Sequence, residues 1–165
     1  MPDIRQLDMD CRDLILGYFQ RHPPEVCEQS FGNLYAWRTT EPAWILVLDE
    51  TLIFLVAMPG VTGRVVLGPT LGPLPSLSSL RKAIPDFNGF IRITGEMARD
   101  LATAGLPSAP DEDNSDYIYQ TRDIVELTGE KYHKKRNLIR QCLKSYDCRY
   151  EAIAPASVPE CLALQ

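Results

Sequence analysis

The stretch Ala43-Trp-Ile-Leu-Val-Leu-Asp-Glu-Thr-Leu-Ile-Phe-Leu-Val-Ala57 decides the fold, because two apolar runs of strand length flank three residues that favour a turn. Both runs, 43–48 and 52–57, are rich in the β-branched and aromatic residues that suit a pleated, buried surface. The turn Asp49-Glu-Thr51 is too short for any other connection. The sequence therefore predicts an antiparallel hairpin at the centre of a sheet.

Helices and further strands are predicted on both sides of this hairpin from periodicity, capping residues and Gly or Pro stops. The predicted helices are Asp8–Phe19, 30–37 (a short helix or turn), one capped by Ser76 or Ser78, Glu96–Ala104, Arg122–Leu127, the basic segment 129–146, and one that begins at Ser157. The other predicted strands are Arg64–Leu67, Phe90–Thr94, Tyr117–Tyr119 and Cys148–Ile153. Loops are predicted at Gly68–Pro75 and at Asp111–Asp116. This order predicts an α/β domain with a mixed α+β sheet.

The bulk composition is that of an ordinary globular protein. With 165 residues, 45% apolar and 24% charged, the chain suits one domain with a core and excludes disordered, collagen-like or coiled-coil classes. The five cysteines form no CxxC pair, which favours reduced thiols, and Cys142 is expected to be buried in a helix. No leader-like apolar segment opens the sequence, and the longest apolar run, 52–58, is too short to span a bilayer. We therefore predict a cytoplasmic protein without a transmembrane segment.

Positive charge is concentrated in one short segment of this acidic chain. The net charge is −5, yet residues 129–149 hold seven of the 17 lysines and arginines and only two of the 22 acids. Overall acidity argues against a general binder of nucleic acid or of anionic membranes. A single basic site still permits one specific anionic ligand.

The basic segment combines an apolar stripe with polar neighbours when it is wound as a helix. Tyr132, Ile139, Leu143 and Tyr146 fall on one stripe. His133, Asn137, Arg140 and Lys144 fall on the adjacent flank. Lys135 and Arg136 enter the apolar stripe near the helix start, where a purely structural helix would carry Leu or Ala. Either they face a cleft that binds phosphate or carboxylate, or they are solvated side chains whose stems cover apolar surface.

Few residues suggest bond-making chemistry. His22 and His133 have no Cys or carboxylate at ligand spacing beside them, so no metal site is predicted, and no residue is assigned as catalytic. The run Arg64-Val-Val-Leu-Gly68 comes near the Arg/Gln-x-x-Gly-x-Gly/Ala signature of acyl-CoA binding, but its glycine stands one residue late. No bound cofactor is expected.

Four motifs in order resemble a known family. Phe31-Gly-Asn-Leu-Tyr-Ala-Trp37, Asp116-Tyr-Ile-Tyr119, Leu127-Thr-Gly129 and His133-Lys-Lys-Arg-Asn137 resemble the N-terminal half of bacterial proteins with the phosphatidylglycerol lysyltransferase C-terminal-type domain. That family is built from two tandem acetyltransferase-like (GNAT) domains and is related to aminoacyl-tRNA-dependent peptidyltransferases. The resemblance implies a GNAT-like N-terminal domain over residues 1–154, with 155–165 beginning a linker toward a second domain.

The resemblance also implies a function. It suggests an acyl- or aminoacyl-transferase domain whose co-substrate is acyl-CoA or aminoacyl-tRNA and whose first domain often lacks a working donor site. The anionic group to be positioned would be a tRNA end, a CoA phosphate or a phospholipid headgroup, beside a second GNAT-like domain. The expected substrate-binding residues, facing the cleft between the domains, are Lys131, His133, Lys135, Arg136, Asn137 and Arg140. The alternative is a non-catalytic interaction module whose basic helix docks on an acidic partner or forms a homodimer.

Overall fold

The computed structural model describes residues 3–112, 115 and 117–163, and the chain divides into two compact units, Met1–Ser115 and Asp116–Gln165. The first unit is a five-stranded mixed sheet with helices, as the α/β prediction requires. Its strands are β1 (Arg5–Gln6), β2 (Ala43–Leu48), β3 (Thr51–Val56), β4 (Arg64–Leu71) and β5 (Phe87–Ile91). Its helices are α1 (Arg12–Arg21), α2 (Phe31–Trp37), α3 (Leu77–Ala83) and α4 (Gly95–Thr103). The predicted boundary between 154 and 155 stays a prediction.

The central hairpin is confirmed. Strands β2 and β3 pair antiparallel along their whole length, from Ala43 opposite Val56 to Leu48 opposite Thr51. The turn consists of Asp49 and Glu50, with φ of 49° and 65°. Two successive residues with positive φ form the turn whose twist matches that of a hairpin.

Both faces of the sheet are covered, which explains why every residue of β3 is buried. Leu52, Phe54 and Val56 point toward one face, where they pack with residues of α1 and α2. Ile53 and Leu55 point to the other face, where the buried side chains of α3 lie. This alternation is the two-residue period of a strand applied to two apolar layers.

Strand β4 is longer than the sequence predicted. The expected loop at 68–75 was wrong over its first part, because β4 continues to Leu71, which lies opposite Leu52. The register shifts between that pair and the next one, Leu67 opposite Phe54. Pro69 falls inside this irregularity, so its missing N–H costs no regular ladder bond.

Strand β5 runs parallel to β4 and is displaced from its predicted position. It spans Phe87–Ile91, three residues before the predicted range, and Ile91 lies opposite Leu67. The next residue, Arg92, has a φ of 51°, which is incompatible with an extended strand. The strand therefore ends there.

The predicted helices of the first unit are confirmed, together with their caps. The Asp8 carboxylate accepts a hydrogen bond from the Cys11 N–H at 3.2 Å, at the start of a 3₁₀ turn (Met9–Cys11) that leads into α1. Ser76 caps α3 through the N–H of Ser79 at 3.1 Å. Gly105, with a φ of 81°, follows α4. Each of these signals is local, which is why the sequence reveals them.

The regular elements in the described part of the second unit are all helical. It contains α5 (Thr121–Glu126), a 3₁₀ turn (Glu130–Tyr132), α6 (His133–Ser145) and α7 (Val158–Leu162). The strands predicted at 117–119 and 148–153 were wrong, since neither segment has regular structure and both are exposed. A strand needs a hydrogen-bonding neighbour, and the described residues of this unit contain none. Asp113, Asn114 and Asp116 of the predicted acidic loop lie outside the described residues.

Candidate functional site

The predicted site lies on α6, which enters the second unit through a sharp bend after α5. Leu127 ends α5 with a φ of 48°, and Gly129 follows with a φ of 84°. Beyond the bend, the Lys131 ammonium pairs with the Asp123 carboxylate at 3.2 Å, and the Tyr132 hydroxyl donates to the same carboxylate at 3.4 Å. The hydrogen bond with Asp123 raises the pKa of Lys131. Asp123 therefore joins α5 to the start of α6.

Arg136 also makes its hydrogen bonds within the second unit. Its Nη1 donates to the carbonyl oxygens of Leu127 and, at 2.7 Å, of Gly129. The last carbonyls of a helix have no partner within the helix, and a guanidinium that binds them stabilises the helix end. Arg136 lies at the edge of an apolar stripe because its target is the end of α5. The structure thus gives Lys131 and Arg136 internal partners.

Of the remaining predicted residues, His133, Asn137 and Arg140 lie on one flank of α6, because they stand four and three residues apart along the helix. Lys135, two residues from both His133 and Asn137, lies on the other side of the helix. Arg140 Nη1 donates to Asn137 Oδ1 at 3.3 Å, and Asn137 Nδ2 lies 3.4 Å from His133 Nε2. Because a guanidinium can only donate, Asn137 presents its NH₂ group to the imidazole. His133 Nε2 accepts this hydrogen bond when the neutral ring carries its proton on Nδ1.

Lys135 differs from its neighbours. Within the part of the chain that the structure describes, its ammonium has no hydrogen bond or ion pair. Lys134 and Lys144 are likewise exposed and without such partners among the described residues. The flank therefore combines the hydrogen-bonded row with Lys144, a cation available to an external anion, whereas Lys135 lies on the side of the apolar stripe.

Apart from Tyr132, the apolar stripe of α6 is not buried. Ile139, Leu143 and Tyr146 are 47%, 62% and 71% exposed, and Leu138, outside the stripe, is 63% exposed. Tyr132 is the single buried side chain among the described residues of the second unit. The predicted burial of Cys142 was wrong for the same reason: no other element of this unit covers that side of the helix, and the thiol is exposed. The three exposed apolar side chains of the stripe constitute a patch of the kind that marks an interaction site.

The first unit contains a cavity that sequence reasoning missed. It has a volume of about 470 Å³, and its lining includes Arg21, His22, Glu25 and Gln29. Gln29 is fully buried and donates its Nε2 to the carbonyl of Pro69, while its Oε1 has no hydrogen-bond partner among the described residues. In the sequence Gln29 stands in a polar run, Cys27-Glu-Gln-Ser30, that resembles exposed surface, so no local signal marked it.

Metal and membrane features were also considered. In the described ranges no group of three or more His, Cys, Asp or Glu side chains is placed to hold a metal ion. None of the described helices combines the length and the apolar character needed to cross a bilayer.

A comparison with known protein families identifies the family of this chain. The family model described as phosphatidylglycerol lysyltransferase, C-terminal, matches residues 19–165. The chain belongs to this family, and the predicted resemblance is confirmed. No functionally curated protein matches the chain.

One solved structure is similar over nearly the whole chain. The crystal structure of a conserved protein of unknown function from Bacteroides thetaiotaomicron VPI-5482 is 29% identical, with a TM-score of 0.80. The match covers 99% of this chain and 58% of that one. The chain therefore spans somewhat more than half the length of this relative.

Proposed function

We propose that this chain is the N-terminal, GNAT-like part of an acyl- or aminoacyl-transferase related to phosphatidylglycerol lysyltransferase. Its role is to position an anionic part of the substrate or donor on the exposed flank of α6. The family match supports the transferase class. The observation that carries the role is the row His133, Asn137 and Arg140, together with Lys144, which lies on the same flank and has no partner among the described residues.

The end of β4 supports a GNAT-like fold with little provision for binding the donor. In a GNAT fold the acyl donor enters where two strands part, and β4 here continues to Leu71 although β5 stops opposite Leu67. At Gly68, however, an added Cβ would lie 2.7 Å from Ile93 Cγ2 and 3.1 Å from Met97 Sδ. These side chains already fill the space beside the diverging strands.

The loop after β4 also offers few backbone N–H groups as hydrogen-bond donors. Residues 72–76 include Pro73 and Pro75, which have no backbone N–H to offer to a phosphate. An oxyanion at such a loop is normally held by successive N–H groups. This composition supports a role in positioning the substrate, with acyl-CoA or aminoacyl-tRNA bound mainly by other parts of the complete enzyme.

The flank suits a phosphate or carboxylate because its donors are charged and lie on one rigid helix. Arg140 and Lys144 supply the charge, and the side chains of Asn137 and His133 fix the position of the guanidinium. Charge-assisted hydrogen bonds to an oxyanion are about twice as strong as neutral ones. Lys131 and Arg136 contribute indirectly, because they hold α6 against α5.

A salt titration with matched variants tests this role. Affinity for coenzyme A, for a tRNA acceptor-stem fragment and for phosphatidylglycerol vesicles is measured for the unmodified chain and for Arg140→Gln combined with Lys144→Gln. The control is Arg81→Gln with Lys82→Gln, which removes the same charge from the exposed end of α3. We expect only the first variant to weaken binding, with the salt dependence reduced by about one unit of slope for each cation removed.

The three ligands distinguish the sources of the anion. Preference for coenzyme A or the tRNA fragment indicates that the donor is positioned, whereas preference for vesicles indicates a lipid acceptor. Equal loss of binding in both double variants would show only a nonspecific charge effect and would refute the role of the flank.

A second candidate function is docking, and the exposed apolar face of α6 favours it. Ile139, Leu143 and Tyr146 form one uncovered stripe along α6 and its C-terminal end. The similar solved structure has a further 42% of its chain that this sequence does not cover, since the match extends over 58% of it. We propose that the stripe packs on a second GNAT-like domain or, when that domain is missing, on a second copy of this chain.

Sedimentation tests docking. Leu143→Asn should reduce self-association of the chain, whereas Leu14→Asn, at an exposed apolar position on α1, should not. To test whether charge contributes to docking, Arg140→Glu is preferable to Arg136→Glu. Arg136 stabilises the second unit through its hydrogen bonds to the carbonyls of Leu127 and Gly129. A chain that remains monomeric at all concentrations excludes the homodimer. Failure of an added second domain of the family to bind would exclude docking altogether.

A further inference from the structure

Cys142 and Cys148 lie together on the surface of the second unit. Their Sγ atoms are 3.4 Å apart, and both side chains are exposed. A disulfide bond is about 2.0 Å long, so the two groups are separate thiols in contact. By contrast, Cys11 is buried and donates its thiol hydrogen to nearby oxygens.

The end of α6 creates this proximity. The helix stops at Ser145, and the Tyr146 N–H closes its last turn on the carbonyl of Cys142 at 2.9 Å. Tyr146 is extended, with φ of −136° and ψ of 144°. The following residues place Cys148 beside the thiol of Cys142, which stands about one helical turn before the end of α6. The approach is therefore fixed by the helix end, and the two thiols need to move only slightly to bond.

We propose that Cys142 and Cys148 form a reversible dithiol site that a low-molecular-weight disulfide oxidises to an intramolecular crosslink. In the first step, the thiolate of one cysteine attacks the disulfide, which releases one small thiol and leaves a mixed disulfide. In the second step, the other cysteine, as its thiolate, attacks the protein sulfur of that mixed disulfide and releases the second small thiol. The protein loses two protons and two electrons, and the small disulfide gains them as it becomes two thiols.

The chemical environment of the two thiols sets the rate of crosslinking. The hydrogen bond with Cys142 raises the pKa of the Cys148 thiol. Because the thiolate is the nucleophile, crosslinking should be slow near neutral pH and faster as the pH rises. An exposed position also allows the crosslink to be reduced again, which distinguishes it from a buried structural disulfide.

The crosslink would act on the candidate docking stripe. Leu143 and Tyr146 lie within the seven-residue ring that the bond between Cys142 and Cys148 would close. A short ring restricts the backbone of the segment that follows α6, so oxidation would fix the shape of this end of the stripe. The oxidation itself does not depend on the proposed transferase role.

The test uses the full chain with increasing concentrations of oxidised glutathione, followed by acid quenching, alkylation and peptide mass analysis. We expect a crosslink between Cys142 and Cys148 at a concentration about tenfold below that which modifies Cys161, because the second step is intramolecular. The Cys148→Ser variant should instead accumulate glutathione on Cys142. The Cys161→Ser variant is the matched control and should crosslink as the unmodified chain does.

Amide exchange provides a second measurement. In the crosslinked protein the amides of residues 146–150 should exchange more slowly, and dithiothreitol should restore the original rates. The proposal is overturned if the unmodified chain carries separate glutathione groups on both cysteines, if the two thiols react no more readily than Cys161, or if the crosslink joins two chains.

Discussion

Arg136 provides the sharpest test of how the second unit is held together. Its guanidinium donates to the carbonyls of Leu127 and Gly129, and the side chain is half-buried. Arg136→Ala removes both bonds and leaves two carbonyls at the end of α5 without their partner. A hydrogen bond to a charged group contributes about 1.5–3 kcal/mol, and water at this partly exposed site replaces much of that. We therefore expect the α5–α6 contact to weaken by about 1–2 kcal/mol.

Hydrogen exchange measured by mass spectrometry detects this change locally. A loss of about 1–2 kcal/mol corresponds to roughly 5- to 30-fold faster exchange of the amides of α5 and the start of α6. Peptides from β3 should be unaffected, because that strand belongs to the other unit. Both tryptophans, at positions 37 and 44, also belong to the first unit, so fluorescence would not report the effect.

Two further variants make the experiment decisive. Lys135→Ala removes a neighbouring charge that has no partner among the described residues, and it should change exchange by less than about twofold. Arg136→Lys keeps the charge but not the fork of donors, so an intermediate effect is expected. If Arg136→Ala exchanged no faster than Lys135→Ala, the structural role assigned to the guanidinium would be incorrect.

Two predictions concern the first unit, and urea unfolding followed by tryptophan fluorescence measures both. Arg64 binds the Asp86 carboxylate at 2.7 Å and lowers the pKa of that carboxyl, chiefly through their hydrogen bond. The resulting stability is present above the ordinary pKa of about 4 and is lost as the pH falls through the lower folded value. The Asp86 side chain is 44% exposed, so Asp86→Asn should cost less than about 1 kcal/mol at pH 7 and almost nothing at pH 2; an undiminished difference at pH 2 would contradict the assignment. Gly63→Ala should destabilise by about 2 kcal/mol or more, because φ is +83° and the new Cβ would lie 2.2 Å from the Asp86 carbonyl oxygen. Gly17→Ala in α1, where an added Cβ meets no heavy atom within 4 Å, should instead stabilise by about 0.5–1 kcal/mol, and equal effects at the two glycines would contradict the structure.

The features that the sequence predicted correctly depend on neighbouring residues. The hairpin follows from two strand-length apolar runs around Asp49 and Glu50, which can form a two-residue turn. The starts of α1 and α3 follow from Asp8 and Ser76, whose side-chain oxygens bind N–H groups three residues later. The family was also recognisable, because its motifs are short and ordered.

The features that the sequence predicted wrongly depend on pairing partners that are distant in sequence or that the described part of the unit does not offer. The length of β4 depends on Leu52, which pairs with Leu71 across an irregularity that composition does not reveal. The segments 117–119 and 148–153 have strand-like residues, yet the described part of their unit offers no strand to pair with. Strand formation requires a neighbour, so propensity alone gave the wrong answer there.

Helix α6 shows the same difference between what the sequence predicts and what only the tertiary structure reveals. The sequence determined that α6 would carry clustered positive charge and an apolar stripe, because both follow from helical spacing. Only the tertiary structure showed that Arg136 binds the carbonyls ending α5, that Lys135 has no partner among the described residues, and that the thiol of Cys142 meets that of Cys148. A side chain's partner depends on how the chain turns between helices, and the left-handed residue Leu127 sets that turn here. Residue spacing along a helix cannot reveal it.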